Sequence, residues 1–180
     1  MDAMTDLALL NAWREGDKHA GNALLGRHFQ ALLRFFEHKV GPDADELIQR
    51  TLLACAESYQ RIRGESSFRT YLFTIARHEL YRHFRQRSQR RDRLDFSVTS
   101  LVDVRTSATG QLMRREQEQA LEVALEQLPL DDQILIELFY TEDLDSRELA
   151  EVFGIEPSSV RARLHRARAS IARTMRGEPV

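Results

Sequence analysis

From Pro157 to Arg176 the chain carries six arginines and no acidic side chain. A guanidinium can grip guanine O6 and N7 with two hydrogen bonds, and it neutralises phosphates without regard to base sequence. On a helical wheel Val160, Leu164, Ala167 and Ile171 fall together on one face, the one that can pack against a core. The remaining face holds Ser158, Ser159, Arg161, Ala162, His165 and Arg166, with Arg163 and Arg168 on its flanks. That division between an apolar seam and a cationic face is what a recognition helix in a major groove requires. The first turns of such a helix reach deepest, so Arg161, Ala162, His165 and Arg166 are expected nearest the bases and the other arginines mainly on phosphates. A solvated arginine-rich helix is the plainer reading of the same charges, and the local context described below argues against it.

A second pattern lies in mid-chain, where aromatic and basic residues alternate: Phe68, Arg69, Tyr71, Phe73, Arg77, His78, Tyr81, Arg82, Phe84 and Arg85. Rings stack on unpaired bases while arginines hold the strand, which is the chemistry of single-strand capture. Phe68, Leu72, Ile75 and Ala76 form an apolar stripe and read as core. Tyr71, His78, Tyr81, Arg82 and Arg85 lie off it and are the candidates for contact. Chemistry of other kinds lacks its residues. There is no carboxylate cluster at metal-ligand spacing and no glycine-rich phosphate loop, and one cysteine cannot build a Cys/His metal set. No catalytic residue, metal or cofactor is therefore expected, and Cys55, among Leu52, Leu53 and Ala54, reads as a buried structural thiol.

The elements that must hold these residues are all helical. Apolar spacing from Thr5 to Lys39, broken at Gly16-Asp17, predicts two helices, with glycine closing one and aspartate capping the next. After the turn signal Gly41-Pro42-Asp43 a third helix carries its acidic residues in its first turn. Arg61 through Ser66 reads as a loop, and a fourth helix should run from Phe68 to about Gln89. Beyond a mixed, aperiodic stretch, a helix from about Gln111 to Gln127 is followed by Leu128-Pro129 and by a helix to Glu142 that Asp131 is expected to cap. Asp145-Ser146-Arg147-Glu148 is a capping-box pattern opening a short helix to Phe153. Gly154 supplies the tight turn, Ile155 plugs it, and Pro157 suits the first turn of the basic helix, which should end near Met175. Short helix, glycine turn and second helix make a helix-turn-helix.

The expectation is an all-α chain of two small helical domains joined by a flexible linker, with boundaries at 1–92, 93–109 and 110–180. The aperiodic stretch from about Ser88 to Thr109, roughly twenty residues, reaches at most about 70 Å when extended. A composition of 42% hydrophobic and 30% charged residues suits a soluble helical protein. The apolar runs are too short to span a bilayer and the N-terminus has no signal-peptide profile, so a cytoplasmic protein without membrane insertion is expected. The net charge of −2 conceals two basic stripes, since Arg77 through Arg93 holds seven arginines against Glu79 and Asp92. Compensating acid sits at Asp43, Asp45 and Glu46 and from Glu116 to Glu126, which implies partners of both signs.

With a duplex reader at one end and a single-strand reader at the other, the sequence resembles the extracytoplasmic-function group of bacterial sigma factors. The resemblance rests on Asp43-Ala-Asp-Glu-Leu-Ile-Gln49, on Arg63-Gly-Glu-Ser-Ser-Phe-Arg-Thr-Tyr-Leu-Phe-Thr-Ile-Ala-Arg77, on Leu128-Pro-Leu, and on Ser159-Val-Arg-Ala-Arg-Leu-His-Arg-Ala-Arg168. It implies a first domain, region 2, that binds the clamp helices of the RNA polymerase β′ subunit and melts the minus-10 element. A second domain, region 4, would read the minus-35 element and touch the β flap. Asp45, Glu46, Gln49, Arg50 and Leu53 then correspond to the β′-binding surface. The loop around Arg63 and Gly64, up to Phe68, resembles the specificity loop that captures a flipped base. Where the family often has Trp this chain has Tyr71, and His78 and Arg82 stand where Asn and a polar or acidic residue are common. An anti-sigma partner is also implied, and no small-molecule substrate.

Two other readings compete with this one. A stand-alone helix-turn-helix repressor or activator would dimerise on palindromic half-sites, but the first domain offers an aromatic and basic helix rather than a dimer seam. An enzyme acting on nucleic acid lacks the constellations noted above.

Overall fold

The structure is a computed structural model, and it describes residues 4–62, 67–92 and 112–177. Its helices are α1 (Asp6–Arg14), α2 (Lys18–Val40), α3 (Ala44–Ser58), α4 (Phe68–Asp92), α5 (Leu112–Glu126), α6 (Leu130–Tyr140), α7 (Ser146–Phe153) and α8 (Pro157–Met175). Among the described residues there is no strand, and no helix is long and apolar enough to cross a membrane. The chain divides into two compact units, residues 1–104 and 105–180. The expected linker, 93–109, lies outside the described residues.

In the first unit the helix ends follow from local chemistry. Thr5 caps α1 by accepting the Ala8 amide at 3.2 Å. Gly16 turns the chain at φ +103°, and the Asp17 carboxylate then accepts the His19 and Ala20 amides to start α2. Gly41-Pro42-Asp43 forms one 3-10 turn between α2 and α3, and Tyr59–Arg61 forms another after α3. Ser67 starts α4, its hydroxyl accepting the Thr70 amide at 3.1 Å. That helix runs to Asp92, a turn beyond the expected Gln89. The core is built where α2, α3 and α4 meet: Leu24, Leu32, Phe35, Phe36, Leu47, Ile48, Leu72, Phe73 and Leu80 have essentially no exposed surface. Phe35 sits edge-on to Phe36 and tilted against Phe73. Phe73, counted in the sequence pattern as part of the aromatic and basic alternation, is therefore core. Cys55 is fully buried, and burial pushes its thiol pKa up to about 12.

In the second unit α8 is the centre, with α5, α6 and α7 all packed on it. Gln133 holds the end of α5, donating its side-chain amide to the Leu128 and Glu126 carbonyls. One capping expectation is corrected: Asp131 does not cap α6. Pro129 stands at the cap with no side-chain bond, and Asp131 and Asp132 lie inside the first turn, where the helix dipole still favours them. Asp145 does cap α7, accepting the Arg147 and Glu148 amides while the Glu148 carboxylate accepts the Asp145 amide. Those amide bonds hold the Asp145 carboxyl below its ordinary pKa.

Candidate nucleic-acid interface

The candidate duplex-reading site begins with α7 and the turn after it. Leu149, Ala150, Val152 and Phe153 bury one side of α7. Gly154 adopts the left-handed region at φ +64°, ψ +38°, and the Ile155 amide closes the turn onto the Ala150 carbonyl at 3.0 Å. A residue with a Cβ is strained in that region, so the angle between α7 and α8 depends on this glycine. Val160, Leu164 and Ala167 are buried along the seam of α8, and Ile171 is half-buried. Outside that seam Ser158, Ser159, Arg161, Ala162, His165, Arg166 and Arg168 are exposed. Seven of the eight residues expected on the DNA face thus stand on one accessible surface.

Arg163 is the exception. Its guanidinium turns toward α6, with Nη2 at 2.8 Å and Nε at 2.9 Å from Oδ1 of Asp132 and with Asp131 at 3.9 Å. Its charge also lies over the Phe153 ring, 5.6 Å from the centroid. Only 23% of the side chain is exposed. The sequence expectation put Arg163 on a phosphate; the structure provides it with two carboxylates inside its own unit. Nothing in local spacing announced them, since Asp132 is 31 residues away. Arg168 is exposed but not unsupported, because its guanidinium stacks 5.1 Å from the Phe139 centroid and 5.3 Å from that of Tyr140.

In the first unit the candidate single-strand residues have diverse settings. Arg63 and Gly64 lie outside the described residues. Phe68 is 3% exposed and tilts against the His28 ring, so it anchors the start of α4. Tyr71 is half-buried, and its hydroxyl donates to Ser58 Oγ at 2.6 Å, which ties the ring to the end of α3. His78, Arg82 and Arg85 are exposed on α4, and Tyr81 is half-buried beneath the Arg77 guanidinium at 5.0 Å. Arg82 makes a 3.5 Å pair with Glu79, in which the arginine is exposed and the carboxylate is mostly covered.

The candidate polymerase residues share one side of α3. Asp45, Glu46 and Gln49 are exposed, Arg50 is half-buried and pairs with Glu46 one turn before it, and Leu53 shows 60% of its surface to solvent. An apolar side chain left exposed beside acidic and amide neighbours is suited to a protein partner. No group of His, Cys, Asp and Glu able to hold a metal occurs among the described residues.

Comparison with known proteins gives these surfaces a context. The family model described as sigma-70 region 2 matches residues 24–90, and that described as sigma-70, region 4 matches residues 118–171. The chain is 28% identical to the ECF RNA polymerase sigma-E factor of Haemophilus influenzae, over 94% of this chain and 95% of that protein. It is 28% identical to the RNA polymerase sigma factor YlaC of Bacillus subtilis, over 84% and 90% respectively. Among solved structures it is similar in fold to the sigma factor RpoE of Bartonella quintana, crystallised with the anti-sigma factor NepR. There the TM-score is 0.69 at 22% identity, covering 86% of this chain and 96% of that one. It is also similar to CnrH in complex with the cytosolic domain of CnrY, with a TM-score of 0.66 at 19% identity over 97% and 99%. The two sigma-70 matches fall one in each compact unit, the second spanning the helix-turn-helix, and with the full-length relatives they establish that this chain belongs to the extracytoplasmic-function group of the sigma-70 family, non-enzymatic promoter-specificity subunits of RNA polymerase.

Proposed function

We propose that this factor grips a promoter at two points, with its residues divided as follows. Residues 1–92 form the unit that docks on core polymerase and opens the minus-10 element, 93–109 form the linker, and 110–180 form the unit that reads the minus-35 element. The observation that carries this reading is the exposed face of α8, cationic and polar along its length above a buried apolar seam. On duplex DNA, Arg161, Arg166 and His165 reach base edges, with Ser158, Ser159 and Ala162 close to the groove floor and Arg168 on the backbone. Arg168 is held for that contact by the Phe139 and Tyr140 rings. In the melted segment Tyr71 and Tyr81 supply stacking surfaces, and His78, Arg82 and Arg85 follow the strand, with Arg63 and Gly64 in the loop that takes the flipped base. Asp45, Glu46, Gln49, Arg50 and Leu53 meet the β′ clamp helices, and the second unit also touches the β flap.

The protein acts in the cytoplasm with no cofactor, and an anti-sigma protein holds it inactive by covering its polymerase-binding surfaces. The similar sigma factor RpoE, crystallised with the anti-sigma factor NepR, supports that last point. Run-off transcription with purified core polymerase on genomic promoter fragments tests the whole reading. Transcripts that require this protein are expected; no such transcript together with no binding to core would overturn it.

A further inference from the structure

Arg163 sits on α8 between Ser159, one turn before it, and Arg166, one turn after it, and both of these neighbours are exposed. A guanidinium extended from that position would stand beside the groove-facing residues, where phosphates flank the groove. It is turned inward instead. Nη2 and Nε lie 2.8 Å and 2.9 Å from Oδ1 of Asp132 on α6, Asp131 stands farther off at 3.9 Å, and the charge lies over the Phe153 ring of α7. The Arg163 and Asp132 side chains are only 23% and 20% exposed, so salt screens this pair less than a surface pair. Exchanging Asp132 for a phosphate would take the cation from a mostly covered carboxylate, and the cost of leaving that charge alone opposes the exchange. Arg161, Arg166 and Arg168, by contrast, are exposed on the same helix. The acid on α6 thus selects which cations of α8 are offered to DNA.

We propose that Asp132 sharpens minus-35 recognition by holding Arg163 away from the phosphate backbone, which makes it a specificity-determining residue that does not itself touch DNA. The proposal rests on the reading of α8 as the recognition helix. A phosphate contact strengthens binding to every sequence alike. On a wrong sequence the helix is free to settle in whichever pose gains the most phosphate contacts. On the right one, base contacts fix its position, and an added cation gains only what that position offers. A released Arg163 therefore favours wrong sequences more than right ones. Because non-specific sites vastly outnumber promoters, the ratio of the two affinities matters more than either affinity alone. Loss of Asp132 should accordingly appear as a gain of indiscriminate binding.

The test uses the full chain and two short duplexes, one carrying the minus-35 element of a promoter found by run-off transcription and one with that element scrambled. Dissociation constants on both, measured across salt concentrations, give the specificity ratio and the salt slope. Asp132→Ala should bind the scrambled duplex on the order of fivefold more tightly at physiological salt, with a slope steeper by about one, the counterion release of a single phosphate contact. The minus-35 duplex should gain less, so the ratio falls. Asp132→Asn, whose amide oxygen can still accept from Arg163, should lie between. Loss of folded protein can only weaken binding, so a damaged fold cannot mimic this gain. Adding Arg163→Ala to Asp132→Ala removes both charges of the pair and should restore the original affinity and slope on the scrambled duplex. A gain that survives in the double variant would come from the loss of an acidic charge alone and would overturn the proposal. An unchanged affinity of Asp132→Ala for the scrambled duplex, or an equal gain on both duplexes, would overturn it too. If the unaltered chain does not prefer the minus-35 duplex, the reading of α8 fails and takes the proposal with it. A preference that Asp132→Ala leaves intact removes the proposal and spares that reading.

Discussion

Arg161 and Arg163 are two positions apart on α8 and meet opposite surroundings. Arg161 is on the exposed face, whereas Arg163 turns inward to Asp132 and Asp131. Arg161→Ala should relax minus-35 preference by about 1–3 kcal/mol at one base pair and leave the melting temperature in place. Arg163→Ala removes the guanidinium from the Asp132 carboxylate in a mostly covered setting and should cost about 1–2 kcal/mol of stability, between the worth of an exposed pair and that of a buried one. Thermal melts and binding to a substituted duplex series, repeated across salt concentrations, separate the two. An unchanged melting temperature with a salt slope smaller by about one would return Arg163 to a phosphate. Cys55 makes a simpler case. A fully buried thiol with its pKa near 12 has almost no thiolate at neutral pH. It should resist a disulfide reagent in native protein and react as a single thiol once the chain is denatured; rapid native labelling would contradict the burial.

At the scale of helices, α2 contains two glycines in ordinary helical conformation whose substitution should have opposite signs. Gly26 is exposed, and a Cβ there meets nothing within 4 Å. Gly26→Ala should stabilise by roughly 0.5–1 kcal/mol through helix propensity alone. Gly21→Ala has the same propensity gain, but its methyl would collide with the Trp13 ring, which is also stacked on Tyr59. Overpacking of this kind typically costs 1–3 kcal/mol, so net destabilisation is expected. Denaturant midpoints give the signs, and the emission of Trp13, the chain's one tryptophan, reports whether its ring has moved. A stable Gly21→Ala protein with native emission would mean that the ring is not confined.

Considered as a whole, the chain carries an acidic surface and a cationic one on different helices. Its net charge of −2 says little, because the acidic start of α3 and the cationic face of α8 lie in different units. Leu53, at the C-terminal end of the α3 surface, is mostly solvated, so Leu53→Asp should change stability by no more than about 0.5 kcal/mol. If the α3 surface meets core polymerase, the same change should weaken that binding by about 1–2 kcal/mol, the loss of an apolar anchor at an interface. Binding of the second unit's face to a minus-35 duplex should be untouched. Competition for core polymerase against a labelled sigma factor measures the first effect. Undiminished competition by Leu53→Asp would remove α3 from the polymerase interface.

Much of this organisation could be read from local sequence. Caps at Asp17 and Asp145, the left-handed turn at Gly154 and the alternation of Val160, Leu164 and Ala167 with exposed arginines are settled by neighbours within a turn or two of helix. Short-range hydrogen bonds and helical periodicity leave that kind of trace in the residue order. The sequence alone therefore determined the helices, the helix-turn-helix and most of the face that α8 presents. The tertiary structure decided which charged and aromatic residues are already engaged. Asp132 captures Arg163 across 31 positions, Arg14 reaches Ile62 across 48, and Phe73 turns out to be core where alternation had grouped it with contact residues. Those outcomes depend on which helix faces meet. Side chains far apart in the chain compete for the same partners, and only the packed fold assigns each a neighbour.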